Sequence, residues 1–431
     1  MRARPVLTSI ATLLLASVPA VAEARTLTVE EAVQLALDNN PVLQSGAARV
    51  RGDEASAKSV RSRMLPSIHV TDEFQHWDSP FSINFGQPFT VRDQNTNTFT
   101  AAVDQPLLQL LYGSHDLSAR SRTAEASGAA LEAARAELRA QVETYFVQVF
   151  EARALEQIAK ASEEELGEQV TIAEARLKAG VLTQADVLRV QVSAANAKEQ
   201  EIQAHGQGEV ARANLLGRIG LPIQDRSVDF APPTQLLAQA RAALPSGDAA
   251  ERIALQQRPE VKQRNLEAES AHENERARMY ALLPDIDAEG AFIRTDGSIF
   301  NPANAAFVGV KAQWAIWEWG ASNYTRKAAE AQADSAHFNA EDQKRRVAIE
   351  VASDLAQATS AAAAVDVARQ TITSAEEAYR VTKAALQAGT ATTTDLLDAQ
   401  AALTQARLNL TRAEYEDALS RVTLRRGLGT R

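Results

Sequence analysis

Two runs, Ala179-Gly180-Val181-Leu182-Thr183-Gln184-Ala185-Asp186 and Ala388-Gly389-Thr390-Ala391-Thr392-Thr393-Thr394-Asp395, each place a threonine three residues and an aspartate six residues after a glycine. Thr-x-x-Asp at a helix start is a capping-box-like arrangement, in which the carboxylate also favours the positive end of the helix dipole. Asp398 lies one turn further on, outside the cap, and the residue matching it in the first run is Arg189. The two runs are therefore not equivalent in charge. Other constellations are weak. Six scattered histidines, with His69, His76 and His115 nearest the expected strands, show no metal-ligand spacing. No Ser/His/Asp order, phosphate loop or carboxylate pair in a credible pocket can be found, so nothing points to an enzyme or to a cofactor.

Composition narrows the classes further. The chain has 431 residues, no cysteine, 55 acidic against 45 basic side chains, and 5% aromatics within a 45% hydrophobic fraction. Without cysteine there is no disulfide framework, thiol nucleophile, zinc ribbon or lipid-bearing thiol. A net charge of −10 argues against a nucleic-acid partner, which needs a clustered basic face. The first 24 residues carry Arg2 and Arg4, an apolar run from Val6 to Val18, and Ala22-Glu23-Ala24 as a small-x-small site, the three parts of a secretory signal peptide. Export without cysteine suits a bacterial envelope better than the small disulfide-rich secreted domains. Past that signal, no stretch approaches the roughly 20 apolar residues of a membrane helix.

The elements that position the two runs come in duplicate. Asn40-Pro41-Val42-Leu43 is echoed by Arg258-Pro259-Glu260-Val261, and Leu65-Pro66 by Leu283-Pro284. The Gly180 and Gly389 runs, with Asp186-Val187-Leu188 and Asp395-Leu396-Leu397, keep the same order. Self-similarity at about 200 residues predicts two copies of one plan, 25–220 and 259–431, joined by a proline-rich region over 221–258. Each copy begins with a short helix that ends at Leu-Pro, because the residue before proline disfavours helix. Alternating strands are then expected at 67–75 and 98–105, and at 285–294 and 307–317, with loops over 78–97 and 295–304. Proline-free stretches rich in Ala, Glu, Gln, Leu and Arg predict long helices at 115–178 and 321–387, with return helices at 183–216 and 392–426. The fold class is mainly α with a small β part. At 1.5 Å per residue the longer helices span on the order of 95 to 100 Å, and the two shorter helices of each half can stack end to end beside the long one.

The strands are long enough to cross a bilayer when tilted. A membrane sheet must close, and the smallest bacterial barrels have eight strands, so four strands per chain require a dimer with eight or a trimer with twelve. The other reading of the same residues is a soluble four-stranded sheet at one end of a helical domain. Trp77, Trp314, Trp317 and Trp319 lie at or near strand ends, where interfacial belting suits them better than ligand stacking.

In order, Leu27-Thr28-Val29-Glu30-Glu31-Ala32, Asn39-Asn40-Pro41, Leu65-Pro66, paired strands, Gly113, a long helix, Ala179-Gly180 with Asp186-Val187-Leu188, and their repetition resemble the TolC family of outer-membrane efflux proteins. The resemblance covers essentially the whole chain beyond the signal. It implies a homotrimer in the outer membrane. Twelve strands would form a barrel continuing into an α-helical tunnel through the periplasm, docked to a periplasmic adaptor and an inner-membrane pump. It also implies that acids at Asp395 and Asp398 line the periplasmic constriction, with Asp186 beside them. The tips Ala179-Gly180-Val181 and Ala388-Gly389-Thr390 would meet the adaptor. Threefold symmetry would make each acid a ring of three carboxylates, a form that favours cations in narrow pores.

One departure matters. Well-known members lock the closed tip with a Tyr three residues before the second glycine and an Arg two after it, both linked to the acid matching Asp186; here those positions are Leu386 and Ala391. The function expected is a passive exit duct of a tripartite efflux or type I secretion system, and the rival is a soluble periplasmic coiled-coil scaffold or adaptor without a pore.

Overall fold

The computed structural model describes residues 25–84, 86–239, 242–280, 282–299 and 302–430. The expected signal peptide, 1–24, lies outside the described residues. Chain order is β1 (Arg25–Leu27), α1 (Val29–Asn39), α2 (Pro41–Arg63), β2 (Ser67–His76), β3 (Phe81–Asn84), β4 (Pro88–Pro106), α3 (Gln109–Lys178), α4 (Gln184–Arg218), β5 (Val228–Phe230), α5 (Thr234–Gln239), α6 (Gly247–Gln257), α7 (Pro259–Tyr280), β6 (Asp285–Ser298), β7 (Asn304–Gln313), α8 (Ala321–Gln387) and α9 (Thr393–Leu428). The 70-residue α3 and 67-residue α8 would each be roughly 100 Å long. The fold is mostly helical, with one substantial sheet.

Local chemistry sets the ends of these elements. Thr28 caps α1 through a reciprocal box with Glu31, the Thr28 N–H donating to Glu31 Oε2 at 2.9 Å. Asn40 caps α2, its Oδ1 accepting from the Val42 N–H at 2.9 Å, with Pro41 at the first helical position where no N–H is needed. Gly220 and Gly429 follow the return helices with positive φ, 79° and 71°. At Gly429 a β-carbon would come within 3.0 Å of the Gln257–Arg258 backbone, so glycine suits this point by both conformation and space.

The large sheet has the order β2-β4-β6-β7, antiparallel throughout, with β3 folded onto the far end of β4. Register aligns Val70 with Ala101, Ala101 with Phe292, and Phe292 with Ala306. Period-2 alternation then sorts the sheet into two faces. One presents Ile68, Val70, Phe74, Phe99, Val103, Phe292, Val308 and Val310, all exposed. The other carries Ser67, His69, Thr100, Asp104, Asp287, Glu289 and Lys311 near one end, with His69 Nδ1 2.9 Å from Asp104 Oδ2.

Several boundaries differ from the sequence expectation. The stretch 78–97 is not a loop for most of its length, because β4 starts at Pro88 and pairs with β3 in a hairpin. The strand expected to run to residue 317 stops at Gln313, and the chain then turns sharply at Trp319 (φ 53°) and Gly320 (φ 82°). Helix α3 begins at Gln109 rather than 115; Gly113 lies inside it, where Met64 Cγ would stand 3.2 Å from an added β-carbon. The region 221–258 holds β5, α5 and α6, and β5 pairs in parallel with β1.

The main apolar core gathers where β1, β5 and α1 cover the middle of α3 and the end of α4. Leu27, Phe146, Leu215, Leu216, Ile219 and Phe230 are its largest buried members, and Phe146 meets Phe230 edge-on at 5.5 Å. Away from this level the chain is a layer one helix thick. Towards the sheet the helices neighbour each other as α2-α3-α7-α8, and towards the glycine tips as α4-α3-α9-α8.

Candidate functional site

Each tip is built by its glycine. After α3, the Gly180 N–H donates to Leu177 O and the Val181 N–H to Arg176 O, both at 2.9 Å, with Gly180 at φ 72°. After α8, the Gly389 N–H donates to Leu386 O at 3.2 Å and the Thr390 N–H to Ala385 O at 2.9 Å, with Gly389 at φ 78°. This left-handed closure satisfies the last helix carbonyls and reverses the chain. Ala179, Gly180, Val181, Ala388, Gly389 and Thr390 are all exposed at the resulting points.

The next residues form the caps. Asp186 Oδ2 accepts from the Thr183 N–H at 3.1 Å and the Thr183 hydroxyl at 2.7 Å; Asp395 Oδ2 accepts from the Thr392 N–H at 2.8 Å and hydroxyl at 2.7 Å. The Thr183 hydroxyl, its N–H and the nearby Arg189 charge hold the Asp186 carboxyl below its ordinary range. The Thr392 N–H and hydroxyl do the same for Asp395. Both acids are therefore anionic and engaged within their own turns. Asp398 is exposed and makes no hydrogen bond or ion pair among the described residues, which leaves its carboxylate free.

Arg189 joins the two tips. Its guanidinium is 3.7 Å from Asp186 Oδ1 and donates to Thr394 Oγ1 at 3.2 Å, so it spans from α4 to α9. Leu397 of α9 packs against a small apolar cluster of Ala173, Val187 and Val190 just above. Leu386 and Ala391 are half-buried and offer no group that could bond Asp186.

Two contacts further from the tips were not anticipated from sequence. The Tyr379 hydroxyl of α8 donates to Glu165 Oε1 of α3, and Ser162 Oγ of α3 lies 3.3 Å from Thr404 Oγ1 of α9. A signal was available for the first: Tyr379 stands seven residues before Leu386, on the same helical face.

A charged network ties the halves together at the level of the main core. Arg258, 3% exposed, bonds Glu260 and Glu350, and Arg426 pairs with Glu137, Glu260 and Glu350. Arg425 reaches Glu143 of α3. Asp354 is buried beside this network, its Oδ2 without a hydrogen-bond partner. The hairpins are thus anchored firmly in the middle and more lightly at their free ends.

The pattern of the outer membrane efflux protein family matches residues 32–221 and 252–430. The alkaline protease secretion protein AprF of Pseudomonas aeruginosa is 24% identical over 89% of this chain and 80% of its own length. The outer membrane efflux protein BepC of Brucella suis biovar 1 is 23% identical over 93% of this chain and 85% of its own. Among solved structures, the outer-membrane channel OprN superposes with a TM-score of 0.81 at 21% identity, over 94% of this chain and 90% of its own.

Proposed function

The chain belongs to the outer membrane efflux protein family, and from that premise we propose that three copies assemble into one exit duct, a twelve-stranded barrel in the outer membrane continued by a helical tunnel in the periplasm. The observation that carries this is the pair of open ends. The sheet order leaves β2 and β7 as edges with unpaired backbone groups, while one sheet face exposes Ile68, Val70, Phe74, Phe99, Val103, Phe292, Val308 and Val310, interrupted by Asp72, Asn97 and Arg294. Lipid does not tolerate an open edge, and four strands are too few to close. The helical layer has open ends at the matching places, α4 and α8. Exposed Leu188, Val192, Ile202 and Val210 lie along one side of α4, and Phe338, Ile349, Val367 and Val381 along one side of α8, each set within about 40° of a line. A second copy of the chain fits both ends at once: β2 on β7, and α4 on α8.

The sheet's apolar face would then meet lipid, with Trp314, Trp317 and Trp319, all exposed, at its end. The polar face would meet water. In the tunnel, Asp398 supplies a free carboxylate ring at the constriction, with Asp395 and Asp186 beside it as capped acids. The exposed tips at Gly180 and Gly389 are the docking points for a periplasmic adaptor, through which an inner-membrane pump supplies energy and substrate choice. The reading joins AprF, a secretion protein, and BepC, an efflux protein, by their common need for an exit.

The test is the state of the purified protein. It should fractionate with outer membranes and, in detergent, have the mass of three chains by light scattering. A soluble monomer would end the duct reading in favour of a periplasmic scaffold.

A further inference from the structure

The hairpin α8–α9 can move against α3–α4 only if the contacts between their lower halves yield. Above, Arg425 and Arg426 hold α9 to Glu143 and Glu137 of α3. Below, the polar links between the hairpins among the described residues are three: Arg189 to Thr394, Tyr379 to Glu165, and Ser162 to Thr404. Measured from Gly180 and Gly389, they lie 9 and 5, 15 and 10, and 18 and 15 residues along the respective hairpins, a nearly constant stagger. All three therefore belong to one packing of the two hairpins and would be strained or lost together.

They are not equal in strength. The Arg189 link is exposed and ends on a neutral hydroxyl, and Ser162 to Thr404 joins two neutral hydroxyls at 3.3 Å. The Tyr379 hydroxyl donates a hydrogen bond to a carboxylate in a half-buried place, the kind of charge-assisted bond that is roughly twice as strong as a neutral one. Like the Arg189 link, which joins α4 to α9 beside α3, it spans an intervening helix. Helix α9 packs on both α3 and α8, so the bond runs from α8 past α9 to α3 and straps α9 in place. Burial and the Glu165 carboxylate push the phenol well above its ordinary range, which keeps it a neutral donor, and Lys383 lies 5.5 Å over its ring.

Opposing this strap is Gln400 of α9, 2% exposed, whose side-chain oxygen and nitrogen both lack a partner among the described residues. A buried amide with no hydrogen bond destabilises the packing that buries it. It sits eleven residues past Gly389, and Tyr379 ten before, so the weak point and the strap are at one level of the hairpin.

We propose that the Tyr379–Glu165 bond is the latch that holds the two hairpins together at the closed tip, in place of the residues absent at Leu386 and Ala391, and that the unpartnered Gln400 makes this closed packing reversible. The inference rests on the duct reading. Both residues are positioning residues and touch no substrate.

The experiment is conductance of purified wild-type, Tyr379→Phe and Glu165→Gln protein in planar bilayers. Each single variant should raise conductance severalfold, and the double variant no further than the larger single effect. Because the chain lacks cysteine, a Ser162→Cys/Thr404→Cys pair added to Tyr379→Phe gives a second reading: oxidation should return conductance to the wild-type level and dithiothreitol release it again. A conducting wild type with unchanged Tyr379→Phe and Glu165→Gln overturns the latch alone. Absence of conductance in wild type and every variant overturns the duct and the latch together.

Discussion

Arg189 donates to Thr394 Oγ1 at 3.2 Å, so the basic residue that replaces an acid in the first tip run is the one that bonds the second tip. The asymmetry between Arg189 and Asp398, visible as a mismatch between repeats, has a structural consequence: one member of the pair ties the tips and the other is left free. Replacing Arg189 by Ala should loosen the tips, with a smaller rise in conductance than Tyr379→Phe, since its bond is exposed and its acceptor neutral. An Arg189→Ala effect exceeding Tyr379→Phe would move the principal restraint to the tip itself.

The three tip acids should separate by assay. Thr392→Ala removes the cap of α9 and should speed hydrogen exchange at residues 394–397 by roughly fivefold, the effect of about 1 kcal/mol of lost capping. Asp398→Ala, which breaks no bond, should leave that exchange unchanged and weaken block by multivalent cations. Asp395→Ala should do both. Block unaltered in Asp398→Ala would remove this residue from the selectivity role.

Gln400→Leu removes two unpartnered polar atoms from a buried place at nearly constant volume. It should stabilise the closed hairpin pair by about 1 kcal/mol or more and lower the resting conductance. Thermal unfolding followed by circular dichroism, alongside bilayer recording, checks both halves of the expectation; a destabilised Gln400→Leu would mean that the amide is satisfied after all.

At the level of the main core, Arg258 is buried between Glu260 and Glu350, and removing it leaves both acids to Arg426 alone. Arg258→Ala should cost about 2 kcal/mol, the loss of its charge-assisted hydrogen bonds, read by denaturant unfolding. Glu350 and the neighbouring Asp354 have pH dependences of opposite sign. Burial pushes the Glu350 carboxyl up, but bonds from Arg258 and the charges of Arg258 and Arg426 outweigh it and hold it low. Its contribution is present above the unfolded carboxylate range and lost as pH falls through the lower folded value. Asp354 is held high by burial and by Glu350. Its ionisation therefore costs stability at neutral pH, so Asp354→Asn should raise the melting temperature at pH 7 and lose that advantage below the ordinary carboxylate range.

Much of the architecture was legible because it rests on local punctuation. Leu65-Pro66 and Leu283-Pro284, the tip glycines, and the alternation of Val308 and Val310 each act through backbone conformation or face periodicity, which a single chain displays. The extension of β4 back to Pro88 was not legible, since Asn95, Thr96 and Asn97 are polar residues that suit a loop equally well until β2 pairs with them. The pairing of β1 with β5 escaped for another reason, being three residues long on each side and fixed only by the core beneath. At the site, the caps of Asp186 and Asp395 follow from spacing alone. Tyr379 and Glu165 are 214 residues apart, and their meeting depends on how two hairpins pack, which no local pattern encodes.

The central claim, that copies of this chain close their open edges into a pore, is tested most directly by single-channel recording of purified protein in planar bilayers. The account predicts discrete conductance steps carried by the trimer, made larger by Tyr379→Phe. A folded protein that remains monomeric and conducts nothing would contradict it.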